Sequence, residues 1–143
     1  MLPSAGVKTD FRRFEELRNE LLTHIKEKTS YGVYTGLGVT AQKTPDMTVN
    51  VAKGTIYMQN GDRFEEEADI INVPTADKTN ARIDIIYINS KGELSYLVGT
   101  AAAVPEAPSI PADGLILAEI AVAANTTAIE TASITDKAKQ LFG

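Results

Sequence analysis

Apolar positions recur every three or four places in the first thirty residues, and nearly every second place beyond them. In FRRFEELRNELLTHIKEK, residues 11–28, Phe11, Phe14, Leu17, Leu21, Leu22 and Ile25 fall on one stripe of an amphipathic helix. The run contains no Gly or Pro, and Thr9 or Asp10 can cap its start by accepting from an orphan backbone N–H. Glu15 and Glu16 come early and Lys26 and Lys28 late, the order the helix dipole favours. The stripe can pack on its own domain or on copies of itself. A heptad reading places Val7, Phe11, Phe14, Arg18, Leu21 and Ile25 at a and d positions. Arg18 spoils one layer, and the run is too short to establish a coiled coil. Phe11, Phe14, Leu17, Leu21 and Ile25 are the candidate oligomer contact.

After residue 30 the period changes. Gly32, Gly36 and Gly38 in TSYGVYTGLGVTAQ break the helical pattern and act as a hinge into β structure. LGVTAQ, MTVNVA, GTIYM, ADIINV, ARIDIIYIN, ELSYLVG, GLILAEIAVAA and TAIETASI then read as strands. Lys53-Gly54 separates two of them, Asn60-Gly61 suggests a type I′ hairpin, and Ser90-Lys91-Gly92 closes another hairpin. In GTAAAVPEAPSIPADG, residues 99–114, Pro105, Pro108 and Pro111 recur every third residue. That spacing favours a polyproline-like path, read as a strap across a surface because a strongly apolar strand follows at once. The expected fold is mainly β: an N-terminal α-helix over residues 1–30, then a small antiparallel β-sandwich or barrel of about eight strands over residues 31–143.

Composition narrows the classes of function. A chain of 143 residues with 43% hydrophobic and 23% charged residues is ordinary for a globular domain. Its net charge of −5 argues against nucleic acid or an anionic membrane as partner. With no cysteine, disulfides, thiolate metal sites and a cysteine nucleophile are all excluded. No run reaches the roughly 18–20 apolar residues that span a bilayer; the longest weakly polar one, residues 110–124, is broken by Pro111, Asp113, Gly114 and Glu119. The N-terminus lacks the charged-then-apolar order of a signal peptide, so synthesis in the cytoplasm and release by lysis are expected.

Candidate chemistry is sparse. His24 is the sole histidine, on the predicted helix near its C-terminal end, where it reads as a surface or interface residue. Without a second His or any Cys, a transition-metal site has no ligand set. No Gly-x-Ser-x-Gly, phosphate-binding or dinucleotide pattern occurs, and the glycines of GVYTGLG follow a helix instead of a strand. Glu65-Glu66-Glu67, with Asp62 and Asp69 nearby, lacks the alternating ligands and placed glycine of a calcium loop and reads as a solvated strand end or loop. A sugar-cleaving carboxylate pair has no aromatic platform beside it, with no Trp and 6% aromatics. Asn125-Thr126-Thr127, formally a glycosylation acceptor, reads as a polar surface turn. No residue is nominated as catalytic, cofactor-binding or metal-binding, and the chain reads as non-enzymatic with no cofactor.

The one anomaly is at the head of ARIDIIYIN. Arg82 and Asp84 project from the same strand face as Ile86 and Ile88, while Ile83, Ile85 and Tyr87 fill the other. Two opposite charges on a strand apolar on both sides can be a catalytic pair, with Asp84 serving a hydrolase, or a ligand grip. They can equally be a structural clamp, Arg82 tying the strand to strap or loop carbonyls and Asp84 holding Arg82 or a turn.

In order, MTVNVAKGTIYM, ADKTNARIDIIYINSKGELSYLVG, the proline strap, GLILAEIAVAA and TASITD resemble a module of tailed-phage and prophage tail proteins found in tail fibres and baseplates. In that family a TVNV…G…Y strand pair precedes an RIDIIV strand, then a glycine-turn hairpin, a strap with P-x-x-P spacing and an LLAEV strand. The resemblance covers roughly residues 37–136, about two thirds of the chain. Arg82 and Asp84 match its Arg-Ile-Asp, and Pro105, Pro108 and Pro111 match its strap; Ala81 stands where the family often has Pro. The resemblance implies a virion structural protein, usually a homotrimer, with the N-terminal helix bundling around the threefold axis and other tail or baseplate proteins as neighbours. Family members often continue into a shaft or receptor-binding tip, whereas this sequence stops seven residues after Asp136, so an attachment or connector role is expected. The alternative is a carbohydrate-binding module that recognises a host cell-wall glycan through Tyr31, Tyr34, Tyr57, Tyr87 and Tyr96.

Overall fold

Among the described residues, alternating side chains fold the chain after residue 30 into ten strands. They are β1 (Gly32–Gly36), β2 (Val39–Ala41), β3 (Thr48–Val51), β4 (Gly54–Tyr57), β5 (Arg63–Glu66), β6 (Asp69–Asn72), β7 (Arg82–Ile88), β8 (Leu94–Leu97), β9 (Leu115–Val122) and β10 (Ile134–Asp136). The computed structural model describes residues 17–18 and 31–141, and the chain divides into two units, Met1–Ser30 and Tyr31–Gly143. In the first, Leu17 and Arg18 have helical backbone and are exposed. The remainder of the predicted helix, with Phe11, Phe14, Leu21, Ile25 and His24, lies outside the described residues.

Two of the three antiparallel sheets, β1-β4-β5 and β2-β3-β6, are halves of one bent ribbon. β1 and β2 run consecutively along β4 and β3, and the ladder carries across the bend through Leu37 N to Lys53 O at 3.3 Å and Ala52 N to Gly38 O at 2.9 Å. At the bend Gly36 faces Gly54, and a Cβ on either would run into backbone of the opposite strand. Only glycine lets two backbones approach so closely, and Gly36 also sits at φ 69°. Leu37, at φ 61°, then turns its side chain into the core.

The third sheet has the order β10-β9-β7-β8. Its central strand β7 is buried on both faces, which is why its sequence is almost continuously apolar. Val49, Val51 and Ile56 of the ribbon meet Ile86, Ile88, Leu117 and Ile120 of this sheet in one core. Each is almost wholly withdrawn from water, the main source of favourable free energy in a domain of this size. The result is a two-layered β structure whose barrel is not closed. β2 and β10 lie side by side without pairing, across a gap of about 200 Å³ lined by Val39, Ala41, Leu117 and Ile134.

β8 and β9 flank β7 and are both antiparallel to it, so their connection must cross the sheet. That connection is the proline strap. It begins where Ala102 bridges Ala81 and ends with Gly114 against the Tyr87 ring, and so runs the length of β7. Ala102, Pro105 and Pro108 are half-buried at a spacing of three, the edge a polyproline-like chain offers to a surface, whereas Pro111 is exposed.

Three details depart from the sequence expectations. Asn60-Gly61 does not form a type I′ turn. Gly61 alone has positive φ, 93°, with Gly61 N donating to Met58 O at 2.9 Å and Met58 N to Asp62 O at 2.8 Å: a type I turn closed by a glycine bulge. Asn60 stays right-handed because its carboxamide accepts from Asp62 N at 2.9 Å and donates to the Asp62 carboxylate at 3.0 Å. Second, TAIETASI is not a strand. Thr126 Oγ1 and the Ala128 backbone form a local turn, Ile129 drops into the core, and a 3-10 turn at Thr131–Ser133 leads into β10. Third, β1 lies in what reads as a glycine hinge, while β5 ends in the acidic run that reads as a solvated strand end or loop.

Candidate functional site

Strand alternation places Arg82 and Asp84 on the inner face of β7, just beyond Ile86, where the core meets the connections at one end of the sheets. Arg82 is 6% exposed and Asp84 0%. Arg82 Nε donates to both Asp84 oxygens, at 2.9 and 3.1 Å. Its two outer nitrogens donate to consecutive carbonyls, Nη1 to Thr75 O at 2.8 Å and Nη2 to Pro74 O at 2.7 Å. The planar fork of guanidinium suits this set, since one rigid group meets a carboxylate and two neighbouring peptide oxygens at once.

Asp84 is satisfied from the other side as well. Gly99 N donates to Oδ1 at 2.7 Å, and the Tyr96 hydroxyl donates to Oδ2 at 2.5 Å. Strand β8 and Gly99, just before the strap, therefore meet on one carboxylate, and the loop entering β7 joins them through Arg82. Gly99 is needed there because a Cβ would collide with the Ile83 carbonyl. Burial first, then the hydrogen bond to Asp84 and its charge, push the Tyr96 phenol well above its ordinary range. Nearby, Asp77 accepts from Thr79 N and Asn80 N, and these backbone bonds hold its carboxyl below the usual range. Asn125 N donates to Asp77 O at 2.6 Å, adding the connection after β9 to the same knot.

A general base needs a free lone pair within reach of substrate. Asp84 offers neither, because it is wholly excluded from solvent and its oxygens accept from Arg82, Tyr96 and Gly99. Among the described residues no buried side-chain nitrogen or oxygen lacks a hydrogen-bond partner, and no three His, Asp or Glu side chains cluster to hold a metal. The chemistry of this arrangement is that of a joint.

The other nominated residues are dispersed. Leu17 is 57% exposed, and the other members of the helical stripe lie outside the described residues. Of the tyrosines, Tyr87 is buried, Tyr96 serves Asp84 and Tyr31 carries the Lys139 ammonium on its ring. Tyr34 and Tyr57 make an edge-to-face pair 6.2 Å apart, with Tyr34 50% exposed. Glu65 and Glu66 belong to β5, where Glu65 meets Arg63 at 2.8 Å in an exposed pair worth little to stability.

Sequence reading missed Tyr96 as a partner of the charge pair. The hairpin turn sets Ile86 opposite Tyr96, making Tyr96 the diagonal neighbour of Asp84 on the same face, a signal the register could have given. The Pro74, Thr75 and Gly99 contacts use backbone atoms and have no side-chain signature. Comparison with family models, curated proteins and solved structures finds no match to the chain.

Proposed function

We propose that the chain is a non-enzymatic structural component of a phage or prophage tail, an attachment or connector element of the baseplate or tail fibre. In this reading it works as a homotrimer in the virion tail, among other tail or baseplate proteins, with the N-terminal helix as the assembly element. The supporting observation is the Arg82–Asp84 joint. The segments that carry the family resemblance fall on β3, β4, β7, β8, the strap, β9 and β10, and the joint binds the loop before β7 to Gly99 just before the strap. A side-chain pair used wholly to fix connections suits a module whose task is to hold a shape under assembly.

The test is the mass of the full chain in solution. Sedimentation at micromolar concentration should give a trimer, and replacing both Leu21 and Ile25 by Asp should dissociate it. A clean monomer in the unaltered chain would count heavily against the proposal, and an undiminished mass in the double variant would move the interface elsewhere.

A further inference from the structure

The turn between β4 and β5 holds Asn60-Gly61, a pair whose side chain and backbone can react with each other. A glycine nitrogen is the least hindered backbone nucleophile a neighbouring carboxamide can meet. In the reaction Gly61 N bonds to Asn60 Cγ as the Cγ–Nδ2 bond breaks, and Nδ2 leaves as ammonia with the proton that Gly61 N gives up. Water then opens the cyclic imide at either carbonyl, leaving aspartate or isoaspartate. Burial does not shield the turn. Asn60, Gly61 and Asp62 are all exposed, and a Cβ built on Gly61 would meet nothing within 4 Å.

Hydrogen bonding does restrain it. Attack needs Gly61 N released from its own bond and facing Cγ out of the carboxamide plane. Instead Gly61 N donates to Met58 O at 2.9 Å, Asn60 Oδ1 accepts from Asp62 N at 2.9 Å, and Asn60 Nδ2 donates to Asp62 Oδ2 at 3.0 Å. One residue thus holds both ends of the carboxamide, and the bond to its carboxylate is of the stronger, charge-assisted kind. The frame of the turn is fixed from beneath, because Met58 is 1% exposed and its N donates to Asp62 O at 2.8 Å.

We propose that Asn60-Gly61 is a latched site of self-modification, with the Asp62 carboxylate as the latch. Its release is one-way. A carboxylate at position 60 cannot donate to Asp62 and repels it, and isoaspartate adds a carbon to the backbone of the turn. The new charge also enters a cleft of about 270 Å³ that Asn60 lines with Gln59, Ser90 and Asp113, beside the turn that joins β7 to β8. Conversion therefore alters the hairpin tip permanently. The inference concerns this tip alone and stands whatever the assembly of the chain.

The experiment ages the full chain, its Asp62→Ala and Asp62→Asn variants, and peptides of residues 57–65 with and without Asp62→Ala, together in mildly alkaline buffer. Peptide mass spectrometry reads the fraction converted at Asn60. The unaltered chain should convert about tenfold or more slowly than its peptide. Asp62→Ala should quicken the folded chain by about tenfold, while the two peptides age alike, which assigns the change to the fold. Asp62→Asn keeps an acceptor without the charge and should fall between. Amide exchange at Met58, whose acceptor is a backbone carbonyl, should be unchanged in fresh Asp62→Ala. Quickened Met58 exchange would credit opening of the hairpin instead of the carboxylate, and would overturn the latch. A folded chain that converts at the peptide's rate refutes it, as does an Asp62→Ala chain that converts no faster than the unaltered one.

Discussion

Asp84 accepts hydrogen bonds from Arg82, Tyr96 and Gly99 with no access to water, so its charge is tolerable only while Arg82 stays in place. Arg82→Ala should therefore destabilise the protein by about 3–5 kcal/mol, read as a lowered denaturation midpoint at unchanged slope. Arg82→Lys should recover only part of this, because an ammonium cannot span the carboxylate and two carbonyls together. A near-neutral Arg82→Ala would contradict the joint. Tyr96 makes the site sensitive to alkali. Its folded-state pKa is raised above the unfolded value of about 10. Below that pH both states keep the proton; above it only the unfolded chain gives the proton up, so stability falls as pH rises. Tyr96→Phe should start less stable at neutral pH, having lost the bond to Asp84, but its stability should decline less steeply above pH ~10. Equal alkaline slopes in the two proteins would show that Tyr96 is not the group. The charge pair was legible because two charges at one strand face interrupt an apolar run. Which carbonyls and amides it holds was not, because backbone atoms carry no residue code, and Tyr96 becomes a partner only through the β7–β8 register.

Among the elements, legibility followed side-chain pattern. β7 and β9 announce themselves by long apolar runs, as strands buried in a sheet centre do. β5 has the single inward Phe64 among charges, and β1 is built around glycines required by backbone approach, so neither shows a clear period of two. TAIETASI has strand composition, yet Ile129 N donates to Asp46 O at 2.8 Å and carries the chain across to another loop instead of into a ladder. Phe64 also explains why the β7–β8 hairpin needs its glycine. Gly92 lies at φ 81°, and any Cβ there would overlap the Phe64 ring. Gly92→Ala should cost about 1–3 kcal/mol, from left-handed strain plus the displaced ring. Phe64→Leu in the same background should recover part of that cost if the ring is the obstacle. A double variant no more stable than Gly92→Ala alone would assign the whole cost to φ.

At the scale of the whole chain, the core and the joint both belong to the unit Tyr31–Gly143. Val49, Ile56, Ile86, Leu117 and Ile120 of that unit are buried together in one core. The two units carry different duties under the proposed reading: Tyr31–Gly143 supplies shape, and Met1–Ser30 supplies association. That division has a thermodynamic signature, because association stabilises by mass action and makes a melting midpoint depend on protein concentration. Residues 31–143 produced alone should fold as a monomer, with amide protection along β7 and β9 equal to that of the full chain. Their midpoint should be independent of concentration, while that of the full chain rises with it. A β unit that unfolds without residues 1–30 would mean that those residues complete the core, and the separation of duties would fail. A folded β unit that still assembles would instead shift association to the sheets, and the exposed Ile70 on edge strand β6 would then be the first residue to replace with lysine.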